Sequence, residues 1–474
     1  MRFEDLAGRT VVVWGAGREG RAALAELTAR GLHPTVALTG DGVVPDDLAS
    51  QAVTGEAALE RLAAADVVVK SPGVPHTAPE YLHLRERGVP VTSLTDLWLH
   101  DNGARTVAVT GTKGKSTTAS LVRHLLAGLG VDAALVGNGG VPVTAGDRPD
   151  AAYAVAEVSS YQAADLTCSP RVAVVTSLYA EHLPWHGGYE QYVADKLTLV
   201  AHGPETVVVP DVAGEVARLV AARLGPATRL LDPAALGLVV TDDGLSWQDA
   251  GDLRADEVAL RGRHNLANLA LALAAVDTLV GESTAGPDRG RLLAAARTFA
   301  PLAHRLEQVP SGDGRAWVDD SLATAPESVV AALETYAATP VVLLAGGADR
   351  GLSFAPLVDY LARRDPAARV ATIAVGPAGA RLARELDDVR LAPDFATALA
   401  WAGSTADTVG AEVVLLSPGA PSFDEFASFE ERSTAFRAAA AVSGAGGGPA
   451  SGPPGRHAGR TSPAAGRRTP SPPA

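Results

Sequence analysis

Short apolar runs rich in β-branched residues alternate with longer stretches of Ala, Leu and Arg that have a helical period. The first pair is TVVVWG at 10–15, followed by REGRAALAELTARG at 18–31. This alternation is typical of a parallel α/β fold. Further strands are predicted at 66–70, 106–110, 152–158, 171–176, 341–347, 371–376 and 412–419. Because ligands collect at the carboxyl ends of parallel strands, we expect functional residues in the turns that follow these runs.

Changes of composition predict three domains and a tail. A polar stretch at 100–106 separates a helical segment from a new strand, and a second break follows the Ala-rich helix at 291–300. From residue 443 onward the chain is mostly Gly, Pro, Ala and Ser with no acidic residue, which buries too little apolar surface to fold. The predicted division is therefore domains at 1–99, 100–299 and 300–442, with a disordered tail at 443–474.

Length, charge and cysteine content narrow the class of protein. A chain of 474 residues is long enough for about three domains, and its single cysteine, Cys168, cannot form an intrachain disulfide. We find no signal peptide and no apolar run near the roughly 18 residues that cross a membrane. The net charge of −14 argues against nucleic acid as the main partner. We expect a cytoplasmic protein with no membrane or nucleic-acid partner.

Lysine is scarce in this chain, since only four of the 40 basic residues are lysines. Where arginine is the usual cation, a lysine can mark a position that needs a compact point charge or a nucleophilic amine; chance is the alternative for any one of them. The four are Lys70, Lys113, Lys115 and Lys196. Lys70 stands beside Ser-Pro-Gly, where a structural role or a place near a substrate are both open.

The strongest local motif is VAVTGTKGKSTTASLVRHLL, which begins at Val107. A strand, a Gly-rich turn and an amphipathic helix follow one another, so backbone amides at the helix N-terminus can hold phosphates. Lys115 would reach the β- and γ-phosphate oxygens, and Ser116 would hold magnesium. No glycine stands five positions before Gly114, so the loop is shorter than a general P-loop. An ordinary strand-to-helix turn is the alternative, and the clustered glycines and lysines disfavour it.

A second Gly-rich turn, GAGREG at 15–20, also lies between a strand and a helix. This pattern can bind a dinucleotide, so a nicotinamide-dependent oxidoreductase is an alternative function. The acidic residue that would bind the ribose about 20 residues further on is missing, because Leu38 stands at the natural position.

The segment TGTKGKST at 110–117 resembles the ATP-binding loop of the Mur ligases, the ATP-dependent amide ligases of peptidoglycan precursor synthesis. Eight further segments resemble that family in the same order: AEVSSYQ (156–162), AEHLPWHG (180–187), YVADK (192–196), GRHNLANLA (262–270), HRLE (304–307), DDSLAT (319–324), GGADRG (346–351) and SPGAPSFDEFASFEERS (417–433). The resemblance covers about residues 7–440. It implies a Rossmann-like N-terminal domain, a central P-loop-type ATPase domain with a parallel sheet, and a Rossmann-like C-terminal domain.

The resemblance also implies the residues of the ATP and metal sites. The expected catalytic residues are Lys115, Lys196 and His182. The expected ATP-binding residues are Gly111, Thr112, Lys113, Gly114, Lys115, Ser116, Thr117, Asn268, Arg305 and Asp320. The expected magnesium ligands are Ser116, Glu157, His182 and Lys196. Lys196 is expected to carry a carbamate, which requires an amine that arginine lacks. For each of these residues taken alone, a structural or solvated position is the alternative.

The resemblance is greatest to the branch that adds glutamate to UDP-N-acetylmuramoyl-L-alanine through an acyl phosphate. The residues expected to bind the UDP part are Arg18, Glu19, Thr39, Gly73 and Asn138. Those expected to bind glutamate are Thr324, Arg350, Ser422 and Phe429. The chain departs from the usual pattern near uracil, where Leu38 and Gly40 replace an acid and a basic residue.

The predicted glutamate pocket also departs from the usual pattern, because Arg350 and Leu322 replace two lysines. Together with the surrounding motifs, this favours the subfamily that adds L-glutamate and relies on a separate epimerase, with D-glutamate as the alternative. We expect a monomer.

Overall fold

The structure is a computed structural model that describes residues 1–39, 44–138, 141–145, 150–281, 288–386 and 388–444. Gly40 and all of the predicted tail beyond residue 444 lie outside the described residues. Within these ranges no helix has both the length and the apolar character needed to span a membrane.

The N-terminal part forms a five-stranded parallel sheet of order β3-β2-β1-β4-β5. Its strands are β1 (Val11–Trp14), β2 (Thr35–Leu38), β3 (Ala52–Thr54), β4 (Val67–Lys70) and β5 (Val91–Thr92). Its helices are α1 (Arg18–Ala29), α2 (Gly55–Ala63), α3 (Pro79–Glu86) and α4 (Leu94–Asn102). The strand order reverses between β1 and β4, so the turns after these two strands lie side by side at a crevice.

Helix α4 runs through the predicted boundary between residues 99 and 100. Its apolar side chains belong to a buried cluster that continues from Phe3 to Val220, so the N-terminal and central sheets share one core. The polar stretch that suggested a linker is therefore the end of a helix and the start of β6. The division into domains stays a prediction.

The central part contains a six-stranded parallel sheet of order β11-β10-β9-β6-β8-β7. Its strands are β6 (Thr106–Thr110), β7 (Ala133–Gly137), β8 (Tyr153–Glu157), β9 (Val172–Val175), β10 (Thr206–Val208) and β11 (Arg229–Leu231). Its helices are α5 (Lys115–Gly128), α6 (Ser160–Ala163), α7 (Leu183–His186), α8 (Tyr189–Leu197), α9 (Glu215–Ala221), α10 (Arg263–Val280) and α11 (Arg289–Arg297). The Gly-rich loop after β6 lies where β8 and β9 flank that strand.

A small antiparallel sheet, which the sequence analysis did not predict, packs on α10. Its strands are β12 (Leu238–Val240), β13 (Gly244–Trp247) and β14 (Gly251–Arg254). Trp247 and Leu253 are buried in the same apolar cluster as the α10 side chains. Short strands with mixed polar and apolar residues give a weak periodic signal, which explains why the pattern did not reveal them.

The C-terminal part forms a third large sheet of order β15-β16-β20-β17-β18-β19, parallel except for the edge strand β15. Its strands are β15 (Glu307–Val309), β16 (Ala316–Asp319), β17 (Val341–Gly346), β18 (Val370–Val375), β19 (Val389–Leu391) and β20 (Val413–Leu416). Its helices are α12 (Pro326–Glu334), α13 (Ala355–Arg363), α14 (Gly376–Glu385), α15 (Phe395–Val409) and α16 (Phe429–Val442). Apolar clusters cover both faces of this sheet, as expected for parallel strands, and the predicted α/β class is confirmed.

Candidate active site

The Gly-rich turn joins the carboxyl end of β6 to the N-terminus of α5 and needs glycine at two points. Gly111 has φ 145° and Gly114 has φ 87°. A Cβ on Gly111 would lie 2.0 Å from the hydroxyl of Thr176, and a Cβ on Gly114 would lie 2.4 Å from Oδ1 of Asn268. Both the backbone conformation and the close packing therefore exclude larger residues, and the amides at the helix start remain available to an anion.

Two lysines meet behind this turn. Lys115 Nζ donates to the carbonyl oxygens of Gly111 and Thr112, at 2.9 and 3.0 Å. Lys196, on α8, donates to the same Gly111 oxygen at 3.0 Å and is only 2% exposed. A solvated lysine, the alternative raised by the sequence, is thus excluded at position 196. Burial, followed by the charge of Lys115, lowers the pKa of Lys196 well below its usual range.

A third lysine is paired with a carboxylate to which the sequence analysis gave no role. Lys113 Nζ lies 2.9 Å from Oε1 of Glu181. Burial raises the pKa of Glu181, but the charges of Lys113 and Lys115 together lower it by more than burial raises it. The net shift is downward, so the carboxylate is ionised. In the sequence, the one feature that pointed to Glu181 is its position next to His182. His182 itself has φ 56°, and burial lowers its pKa, so its imidazole is neutral at pH 7.

The predicted magnesium ligands differ in how they are placed. Ser116, Glu157 and His182 line one cavity of about 710 Å³. Glu157, at the end of β8, accepts a hydrogen bond from the Asn138 amide at 3.0 Å. The hydroxyl of Ser116 and the carboxylate of Glu157 are oxygen donors that fit magnesium, whereas the neutral imidazole of His182 is a borderline donor that softer divalent cations prefer. Lys196 lies behind the cavity wall, and as a free amine it is a donor that only a carbamate would turn into an oxygen ligand.

A second cavity, of about 450 Å³, lies on the other side of Lys113 and Gly114. The predicted ATP-binding side chains of Asn268, Arg305 and Asp320 all line it. The central and C-terminal sheets therefore meet at the Gly-rich turn.

Polar contacts in this second cavity fix two of those side chains. Arg305 Nη2 donates to the Ser116 hydroxyl at 3.2 Å, while its buried Nε has no hydrogen-bond partner among the described residues. Burial raises the pKa of Asp320 to about 7, although its carboxyl accepts from the Ser417 hydroxyl at 2.8 Å. Arg305 therefore retains an unused donor, and Asp320 changes charge near neutral pH.

The residues predicted for the UDP part follow four different strands: Arg18 and Glu19 follow β1, Thr39 follows β2, Gly73 follows β4 and Asn138 follows β7. Arg18 and Asn138 line the larger cavity, and Arg18 Nη2 donates to the Asn138 carbonyl at 3.3 Å. Glu19 accepts from Gln162 at 3.3 Å, and burial raises the pKa of its carboxyl. The Thr39 hydroxyl accepts from the Trp14 indole at 2.9 Å, and the Gly73 carbonyl accepts from the Trp185 indole at 3.2 Å.

The structure brings only part of the predicted glutamate set to the larger cavity. Thr324 and Phe429 line it, together with Leu322. Ser422 is buried, with 2% exposure, and Arg350 is exposed. Among the described residues around the two cavities, neither Ser422 nor Arg350 forms part of a wall.

His304 also lines the larger cavity, although the sequence analysis gave it no chemistry. It has φ 63°, its Nδ1 lies 2.8 Å from Asp319 Oδ2, and its ring meets the Phe429 ring edge-on at 5.6 Å. The only signal was its place in the HRLE segment, before Arg305. The aromatic and imidazole rings form the C-terminal side of the cavity.

Known proteins that are similar to nearly the whole chain are Mur ligases. Residues 109–276 match the family model of the Mur ligase middle domain. A Salinispora tropica protein named UDP-N-acetylmuramoyl-L-alanine--L-glutamate ligase is 45% identical over 453 residues, which is 92% of this chain and 98% of that protein. A protein of the same name from Xanthomonas euvesicatoria is 36% identical, with 92% and 96% coverage.

Solved structures show the same fold at lower sequence similarity. The MurF ligase from Thermotoga maritima in complex with ADP superimposes with a TM-score of 0.57 and 17% identity, over 90% of this chain and 94% of that one. UDP-N-acetylmuramate-alanine ligase MurC from Thermotoga maritima gives 0.54 and 17%, over 90% and 98%. At this level of identity the similarity concerns the fold alone.

Proposed function

The chain belongs to the Mur ligase family, and from that premise we propose that it joins L-glutamate to UDP-N-acetylmuramoyl-L-alanine in peptidoglycan precursor synthesis, at the expense of ATP. The observation that carries the proposal is the 45% identity, over 92% of the chain, to a relative with that name. The site supports it, because the Gly-rich turn lies between a cavity lined by the predicted ATP residues and one lined by predicted substrate residues.

The reaction needs an activated carboxylate, because forming an amide from a carboxylate and an amine is uphill in water. The alanyl carboxylate would attack the γ-phosphorus of ATP to give an acyl phosphate and ADP. The neutral glutamate amine would then attack the acyl carbon, the bond from that carbon to the phosphate oxygen would break, and the nitrogen would pass one proton to the departing phosphate. Amide bond formation is thus driven by cleavage of the terminal phosphate bond of ATP.

Positioning and charge stabilisation are the main contributions of the protein. Lys115 would hold the β- and γ-phosphate oxygens, and Arg305 has an unpaired donor on the same side. Magnesium, held through Ser116, Glu157, His182 and a carbamate on Lys196, would neutralise phosphate charge. Walls from separate sheets enclose the larger cavity and would keep water from the acyl phosphate.

The carbamate rests on the chemistry of the Lys196 amine. Carbon dioxide reacts with the neutral amine, and burial at this position favours that form. The added group would be an anion beside the Lys115 ammonium, and the two opposite charges would attract each other.

Three further properties belong to the same proposal. L-glutamate addition implies dependence on a separate epimerase that inverts the new residue afterwards. The enzyme would act as a monomer. It would act in the cytoplasm, where ATP is available.

A coupled phosphate-release assay tests the proposal. Purified protein with ATP, magnesium and UDP-N-acetylmuramoyl-L-alanine should release phosphate only when glutamate is supplied, and faster with the L enantiomer. A preference for D-glutamate would overturn the proposed enantiomer, but the proposed ligase reaction would stand. Tight nicotinamide binding without glutamate-dependent ATP turnover would favour the oxidoreductase instead.

A further inference from the structure

Lys70, the fourth lysine of the chain, has no part in the proposed reaction and is nevertheless fully buried. It is the last residue of β4 and is 1% exposed. Its Nζ lies 2.9 Å from Oδ2 of Asp165, which follows α6 in the central part of the molecule. The other oxygen of Asp165 lies 2.7 Å from Nε2 of His76. One carboxylate of the central part thus meets two cationic or polar side chains of the N-terminal part.

The ammonium group also organises the backbone of the turn that follows β4. Lys70 Nζ donates to the carbonyl oxygens of Ser71 and Val74, at 3.4 and 2.9 Å. In the same turn the Gly73 carbonyl accepts from the Trp185 indole. The Ser71 hydroxyl donates to the Gly15 carbonyl at 3.3 Å, which ties this turn to the Gly-rich turn after β1.

Trp185 links this turn to the loop that carries His182. Trp185 lies on α7, which begins directly after His182. Its ring lies 5.7 Å from Lys70 Nζ and 4.7 Å from the ring of Tyr161, which in turn packs 4.9 Å from the His182 ring. The turn at 71–74 and the His182 loop are therefore parts of one continuous contact cluster.

We propose that Lys70 and Asp165 are positioning residues, which fix the turn at 71–74 relative to the His182 loop and so set where the substrate's nucleotide end is anchored. The inference rests on the proposed function. A long substrate anchored at one end must present its carboxylate to the γ-phosphate at the other, so a small shift of the anchor misplaces the reacting atoms.

The chemistry of the pair favours positioning over a merely structural role. A buried ion pair is commonly no more stabilising than apolar side chains of similar size, so stability alone does not require these residues. A compact ammonium can reach two carbonyls and a carboxylate from a single point, whereas a planar guanidinium directs its donors along a fixed fork. Lysine therefore suits position 70 for its geometry.

Two variants test the proposal with a steady-state ligase assay and thermal unfolding. Lys70→Met should raise KM for UDP-N-acetylmuramoyl-L-alanine about tenfold and leave KM for ATP within about twofold, because the nucleotide turn loses its donor. The double variant Lys70→Met/Asp165→Leu also removes the buried carboxylate that has lost its ammonium partner and keeps only His76. It should regain a Tm close to that of the unmodified protein but keep the raised KM, because the carbonyls of Ser71 and Val74 still lack the ammonium.

A matched control is Arg289→Met, which removes a cation that pairs with Asp277 at 2.9 Å between α10 and α11, away from both cavities. It should leave both KM values unchanged. If the double variant regains both Tm and KM, or if Lys70→Met keeps the normal KM, the pair is structural and the proposal is wrong. If the unmodified protein releases no glutamate-dependent phosphate, the proposed function fails and this inference fails with it.

Discussion

Lys115 and Lys196 donate to the same acceptor, the backbone carbonyl oxygen of Gly111, at 2.9 and 3.0 Å. Burial lowers the pKa of both amines, and the charge of Lys115 lowers the pKa of Lys196 further. A second ammonium group at this carbonyl would be repelled by the first, which favours the neutral amine of Lys196. The pairing therefore fits a site that receives phosphate on one side and a carbamate on the other.

Removing the ammonium group of Lys115 should abolish ligation. We expect Lys115→Met to lower kcat/KM by about 10³-fold, because charge on the transferring phosphoryl group loses its nearest cation. Lys115→Arg should remain impaired, since the guanidinium cannot occupy the same compact position. Glutamate-dependent phosphate release is the measurement. Amide formation at the normal rate in Lys115→Met would contradict the whole mechanism.

The carbamate on Lys196 can be tested by chemical rescue. Lys196→Ala should lose activity, and small carboxylates such as formate or acetate should restore part of it by replacing the missing oxygens. Carbon-13 NMR of the unmodified protein in labelled bicarbonate should show a carbamate signal that the variant lacks. Full activity of the variant, or no rescue together with no signal, would count against this assignment.

The contact between Gly114 and Asn268 makes the Gly-rich loop sensitive to a single methyl group. Gly114→Ala should weaken ATP binding, measured by calorimetry, because its Cβ would clash with Asn268 at 2.4 Å. Gly88→Ala is the matched control, since Gly88 also has positive φ, at 72°, but its Cβ would meet nothing within 4 Å. The control should lose about 1–2 kcal/mol of stability and keep its ATP affinity. Equal ATP affinity in both variants would show that the close packing of Gly114 on Asn268 does not affect nucleotide binding.

Asp320 should give the protein a measurable pH dependence of stability. Burial raises the pKa of its carboxyl to about 7, from 3.8 in an unfolded chain. Between about pH 4 and pH 7 the folded state holds a proton that the unfolded state has released, so the free energy of unfolding from this group falls as pH rises. Asp320→Asn should therefore show a smaller loss of denaturant midpoint from about pH 5 to pH 7 than the unmodified protein.

The control for Asp320 is an exposed carboxylate whose pKa shifts in the opposite direction. The hydrogen bond from Arg254 lowers the pKa of Asp256, so this group stays ionised above pH 4. Asp256→Asn should keep the pH dependence of the unmodified protein. An identical slope in Asp320→Asn would mean that Asp320 does not titrate in this window.

Arg350 is predicted to bind the glutamate carboxylate, although it lines neither of the two cavities in this structure. We expect Arg350→Ala to raise KM for glutamate about tenfold, because a guanidinium–carboxylate pair is lost, and to leave KM for ATP unchanged. Arg363→Ala, which removes an exposed arginine at the end of α13, should change neither value. An unchanged glutamate KM in Arg350→Ala would remove this side chain from the acceptor pocket.

Much of the fold could be predicted because the patterns that specify its strands and turns are formed by residues close together in the sequence. The buried strands are continuous apolar runs, as at Val11–Trp14 and Val341–Gly346, and the Gly-rich turn combines glycines with lysines in one short segment. The family, too, could be identified from ordered short motifs, and the comparisons confirm it. The small antiparallel sheet escaped prediction because its strands have no such run.

The sequence by itself determined the α/β class, the Gly-rich turn between a strand and a helix, and the family, since each depends on residues that are close along the chain. Only the tertiary structure decided which charges are buried and paired. Lys196 lies on a helix of mixed polarity, and Lys70 meets a carboxylate far away in sequence. Whether an ammonium is solvated, neutral or paired depends on what other segments bring against it, and sheet topology sets that packing.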